Sequence, residues 1–151
     1  MEQRASRLGR EIGRDCLAVR LRLLNRSVTR LYDAALRPYS ITIAQLNLLA
    51  SVANLQPIPS GKLADLLSLE ISTLSRNARL MESAGWLEIS PADHGNGRVL
   101  SLTPAGEGKL AELGPAWHEA QNEAVKLIGD GAAAAIREAA NEHFVEQARQ
   151  L

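Results

Sequence analysis

Leu63-Ala64-Asp65-Leu66-Leu67-Ser68-Leu69-Glu70-Ile71-Ser72-Thr73-Leu74-Ser75-Arg76-Asn77-Ala78-Arg79-Leu80-Met81 is the stretch that decides the fold. Leu63, Ala64, Leu67, Leu69, Leu74, Ala78 and Met81 recur at helical spacing. They are small or apolar, as two helices crossing at a steep angle require. The spacing predicts a short helix over Gly61–Leu67, capped by Ser60, and a longer one over Glu70–Ala84. Only Ser68 and Leu69 separate the two, so the chain must turn tightly there. The other face of the longer helix carries Ser72, Thr73, Ser75, Arg76, Asn77 and Arg79.

Beyond this stretch the period changes. Gly85 supplies a left-handed helix stop. Trp86–Ser90 and Arg98–Leu102 read as two strands, and Asp93-His94-Gly95-Asn96-Gly97 between them is turn-forming. Thr103-Pro104 then opens a helix, with the threonine as cap and the proline at the first helical position. Gly114-Pro115 is expected to kink that helix before it resumes to about Ile128. Asp130 is expected to cap a last helix over Gly131–Gln150. Its buried side would be Ile136, Ala139, Ala140, His143, Phe144 and Gln147.

On the N-terminal side, a helix is expected from about Arg14 to Arg37, where Pro38 stops it. Leu17, Leu21, Leu24, Val28, Leu31 and Ala35 form its apolar stripe. Thr42 with Gln45 is a capping-box pattern that starts the next helix, which fades near Asn54. Pro57 and Pro59 mark a connector. The order helix, tight turn, helix, glycine and hairpin is that of a winged helix-turn-helix. The expected fold is mainly α with a small β-hairpin wing. Residues 1–38 form an N-terminal arm and dimerisation helix, 39–102 a DNA-binding lobe, and 103–151 the C-terminal dimerisation helices.

Only five of the 151 residues are aromatic, so Leu, Ala, Ile and Val must build the core. Met1–Arg14 holds no apolar run and no stretch is long enough for a membrane span; neither a signal peptide nor a membrane partner is expected. A single cysteine, Cys16, points to a reducing cytoplasm. Lysines and arginines equal aspartates and glutamates overall, but the charge is unevenly spread. Residues 1–37 carry nine arginines against Glu2, Glu11, Asp15 and Asp33. Residues 60–103 carry Lys62, Arg76, Arg79 and Arg98 against five acids; residues 104–151 carry four bases against eight acids. The helix bearing Ser72, Thr73, Arg76 and Arg79 suits a DNA major groove, where hydroxyls and guanidinium groups meet base edges.

Residues Leu63–Arg76, Leu80-Met81-Glu82-Ser83-Ala84-Gly85-Trp86-Leu87 and Leu102-Thr103-Pro104-Ala105-Gly106 together resemble the MarR family. The resemblance implies a homodimer on a pseudo-palindromic duplex, a repressor role and a small-molecule inducer, possibilities including a phenolic or other aromatic ligand. It implies DNA contacts from Ser72, Thr73, Ser75, Arg76 and Arg79, and matches Asp93 and Arg98 to the wing motif. His94 lies beside them. The wing departs from the family pattern, because Gly95 or Asn96 stands where a first arginine is expected.

Two other readings compete. Cys16 sits near the place of the reactive cysteine in some MarR-like peroxide sensors, where Arg14 and Arg20 would lower a thiol pKa; Tyr32 fits a tyrosine found near that thiol. A winged-helix protein-interaction module without DNA is the other, favoured by the net −1 of residues 60–103. His118 and His143, with Glu119, Glu123 or Glu142, lack metal-ligand spacing. No metal, cofactor or enzymatic activity is expected.

Overall fold

The structure is a computed structural model that describes the backbone of residues 2–92 and 97–149, and the side chains of residues 5–92 and 97–142. The N-terminal region is two helices rather than the single one expected: α1 (Glu2–Asp15) and α2 (Leu17–Leu36). Cys16 between them takes an extended conformation, with φ −65° and ψ 113°. The Arg20 guanidinium donates to the carbonyls of Gly13 and Cys16, each at 3.1 Å, and so satisfies acceptors at the break. The C-terminal half of α2 packs on α6 (Pro104–Ile128), where Tyr32, Ala120 and Ala124 are the buried centre. The N-terminal half of the stripe is bare: Leu17, Leu21 and Leu24 are exposed. A 3-10 turn, Arg37–Tyr39, ends α2 around Pro38.

Helix α3 (Ile43–Leu55) starts on the capping box read from the sequence, with both reciprocal bonds formed between Thr42 and Gln45. Asp33 of α2 accepts from the Ile43 amide at 2.8 Å, which ties this start to the preceding helix. The proline connector is a correction: it holds a strand, β1 (Ile58–Pro59), paired antiparallel to β3 (Arg98–Leu102). With β2 (Leu87–Pro91) the sheet has three strands in the order β1-β3-β2. Pro59 is tolerated because β1 is an edge strand, where a missing amide costs no ladder bond. Ile58 fills the lobe core with Leu48, Leu63, Leu74, Met81 and Leu100.

Helices α4 (Ser60–Leu66) and α5 (Ile71–Ser83) flank the expected tight turn. Ser60 is the first residue of α4 and makes no cap bond; Pro59 takes the cap position. Ser68 adopts φ +51°, and the Leu69 amide reaches back to the Ala64 carbonyl at 2.9 Å, closing the α4 end.

The wing joins α6 through one compact set of bonds. Gly85 has φ +78°, so the chain can turn out of α5. The Thr103 hydroxyl donates to the Gly85 carbonyl at 2.6 Å and accepts from the Gly106 amide at 3.1 Å. The Thr103 amide donates to the Trp86 carbonyl at 3.1 Å. A side chain at Gly106 would collide with the Trp86 carbonyl oxygen and with Leu102. Lys109, one turn on, has its ammonium 5.2 Å from the Trp86 ring and 5.7 Å from the Tyr39 ring. Helix α6 runs on through Pro115 without a break in assignment. Gly129, at φ +86°, turns the chain into α7 (Asp130–Arg149). Asp130 is thus the first helical residue and not the cap. Ala133 is the buried residue of α7, whereas Ile136, Ala139 and Ala140 are exposed; the His143, Phe144 and Gln147 side chains lie outside the described residues. Among the described residues no helix is long and apolar enough to cross a membrane.

Two glycines two residues apart, on different sides of α6, should respond oppositely to alanine. Gly106→Ala should destabilise by roughly 3 kcal/mol, since overpacking here presses on backbone. Gly108→Ala, with nothing near its Cβ position, should stabilise by about 0.5–1 kcal/mol through helix propensity. Urea melts at fixed protein concentration measure both.

Candidate nucleic-acid interface

Helix α5 has two chemically distinct sides. Leu74, Ala78 and Met81 are almost fully buried and seat it on α4 and the sheet. At 3.6 residues per turn the opposite side carries Ser72, Arg76, Arg79 and Ser83. Ser72, Thr73, Arg76 and Arg79 are exposed, and both guanidinium groups are without an ion pair among the described residues. Glu70 at the N-cap makes no side-chain cap bond, although its carbonyl accepts from the Thr73 amide at 2.9 Å. Asn77 differs from the sequence reading. It is half-buried, and its amide donates to the Thr73 carbonyl at 3.1 Å, which turns it away from the exposed face.

Two surface grooves run along this side. One is lined by Ser72, Ser75, Arg76, Arg79, Leu80 and Ser83. The other lies between α5 and the sheet, where Ser75, Arg79 and Glu82 face Ser60 and Arg98. The fold therefore brings Ser75, Arg79 and Arg98 together from positions far apart in sequence. Arg98 begins β3 opposite Pro91, at the base of the hairpin. Asp93 and His94 lie outside the described residues. Ser83 and Leu80 line the first groove as well and are not among the residues picked out by sequence; the spacing of four between Arg79 and Ser83 is the signal that places Ser83 there.

By sequence, residues 41–100 match the MarR family. That match spans the helix-turn-helix and most of the wing, 60 of the 151 residues. The chain aligns over most of its length with solved structures. A cysteine-to-serine mutant of E. coli MarR complexed with operator DNA is 22% identical, with TM-score 0.75, over 87% of this chain and 96% of that one. The M. tuberculosis transcriptional regulator MosR is 26% identical, with TM-score 0.73, over 89% and 98%. CouR from Rhodococcus jostii RHA1, bound to p-coumaroyl-CoA, is 14% identical, with TM-score 0.74, over 86% and 92%. No curated protein matches the chain by sequence. The fold is that of these solved regulators.

Cys16, Tyr32 and His118 lie on other elements. Cys16 is a free, half-buried thiol at the α1–α2 break. Arg14 is bidentate on Asp15, and Arg20 is spent on backbone carbonyls, so neither bonds the sulfur. Tyr32 stands about 24 Å farther along the helical path, and its hydroxyl donates to Gln121. Burial raises the Tyr32 pKa, with Arg137 partly opposing. His118 Nδ1 lies 2.7 Å from the Gly114 carbonyl, with its ring edge-on to Trp117. Among the described residues no cluster of three or more His, Cys, Asp or Glu could hold a metal.

The division of α5 into two sides is testable by stability alone. Leu74→Ala should cost about 2–5 kcal/mol. Arg76→Ala and Arg79→Ala should each stay within about 0.5 kcal/mol of the parent, as exposed substitutions do. Thermal or urea unfolding of the three variants checks the assignment.

Proposed function

We propose that this chain is a cytoplasmic transcriptional repressor that binds a pseudo-palindromic operator as a homodimer and is released by a small ligand. The observation that carries the reading is the exposed, unpaired Arg76 and Arg79 beside Ser72 and Thr73, on a helix whose other side is locked in the core. Ser75 and Arg98 extend this surface toward the wing, and Asp93 and His94 follow by sequence position in the hairpin. Asn77 contributes by holding the Thr73 turn. The E. coli MarR fold in complex with operator DNA supports this assignment. Phosphate contacts would set the register, and side chains of α5 would read bases.

Dimerisation through residues 1–38 and 103–151 is favoured by what one chain leaves bare. Seven large apolar side chains between Leu8 and Leu24 are exposed, and Leu127 and Ile136 add to them at the α6–α7 end. Patches of this density mark association surfaces. The ligand would enter the groove between α3 and α6, lined by Leu46, Asn47, Ala50, Leu110, Leu113 and Trp117. An apolar floor with one amide and one indole suits a flat aromatic molecule, including a phenolic one. CouR bound to p-coumaroyl-CoA is a precedent on the same fold.

Sedimentation should give a mass near twice 16.3 kDa. Binding to an operator selected from random duplexes should weaken steeply as salt rises, through counterion release. Arg76→Ala should lower operator affinity by roughly 5- to 150-fold, the range of about 1–3 kcal/mol for one base contact. A phenolic ligand should change Trp117 fluorescence and release DNA, and Trp117→Ala should weaken both effects. Equal indifference to every duplex at low salt would favour a protein-interaction module instead.

A further inference from the structure

Resting on the DNA-binding reading above, we propose that Leu80 is a specificity-determining residue, which reads the 5-methyl group of a thymine in each operator half-site. Leu80 is 56% exposed and belongs to none of the three apolar core clusters. It stands in the same groove as Ser72, Arg76, Arg79 and Ser83. Four residues beyond Arg76 and three before Ser83, it adjoins both on the helix surface. It is the one large apolar side chain lining that groove.

The chemistry of that groove leaves Leu80 a definite role. Arg76 and Arg79 are donors without acceptors among the described residues, and they suit guanine edges or phosphates. The Ser83 hydroxyl is committed to the Arg79 carbonyl at 2.9 Å. None of these groups distinguishes thymine from cytosine by its methyl. An isobutyl group does so by contact, since only the thymine methyl gives it an apolar partner in the major groove. Covering both groups from water adds affinity and leaves no polar atom unpaired.

The test replaces each thymine of a selected operator half-site, in turn, by deoxyuridine, which keeps every hydrogen bond and removes one methyl. Wild type should lose roughly three- to fivefold in affinity at one position, the effect of one buried methyl-sized group. Leu80→Ala should bind the parent operator more weakly and be insensitive to uridine at that same position. Leu80→Met, which keeps an apolar tip, should retain the sensitivity. All three proteins should melt alike, because the residue is exposed. If no uridine position affects wild type more than Leu80→Ala, the inference is overturned while operator binding itself stands. If wild type prefers no duplex, the DNA-binding reading fails first.

Discussion

The Thr103 hydroxyl, bonded at once to the Gly85 carbonyl and the Gly106 amide, is the contact on which the arrangement rests. It joins three elements: the exit of α5, the base of the wing and the start of α6. Trp86 adds a backbone bond to Thr103, and its carbonyl occupies the space that a side chain at position 106 would need. The exit of α5 and the start of α6 are thus tied by three hydrogen bonds that all involve Thr103. Any movement of α6 relative to α5 must act through this joint or bend around it.

Electrostatics are arranged with comparable economy. A chain with no net charge makes a poor general polyanion binder, since long-range attraction to phosphate scales with excess positive charge. What the fold does is leave Arg76, Arg79 and Arg98 on one surface while acids gather in residues 104–151. Weak background attraction favours discrimination, because non-specific affinity is almost wholly electrostatic. Glu82, in the groove with Arg79 and Arg98, lowers local positive potential further.

Much of this architecture was legible because its signals are local. Thr42 with Gln45, Gly85, and Thr103-Pro104 each act within a few residues, and each does what its chemistry dictates. The strand at Ile58–Pro59 was not legible: two residues show no alternation, and its partner lies some forty positions away in β3. The break at Cys16 was hidden because the apolar stripe resumes at once with Leu17 and Leu21; a carbonyl-binding Arg20 is visible only in three dimensions. On α5, sorting by polarity grouped the half-buried Ser75 and Asn77 with fully exposed residues and left out the exposed Leu80. Helical angle decides exposure there, and residue type alone does not. Likewise Ile136, Ala139 and Ala140 announced a face to be covered, which one chain does not cover.

The three apolar clusters share members. Trp86 and Leu110 touch both the lobe core and the one centred on Leu36 and Leu113; Ile43 and Trp117 touch that second core and the one around Tyr32. The interior is thus a relay without a seam. A cut after Leu102 would strip Leu110 from the lobe and leave Trp86 half wet, so the reading module is not a detachable cassette. Hydrogen exchange at its deepest amides would follow the global opening of the whole chain. Transplanting it between regulators therefore means carrying the first turns of α6 along with it.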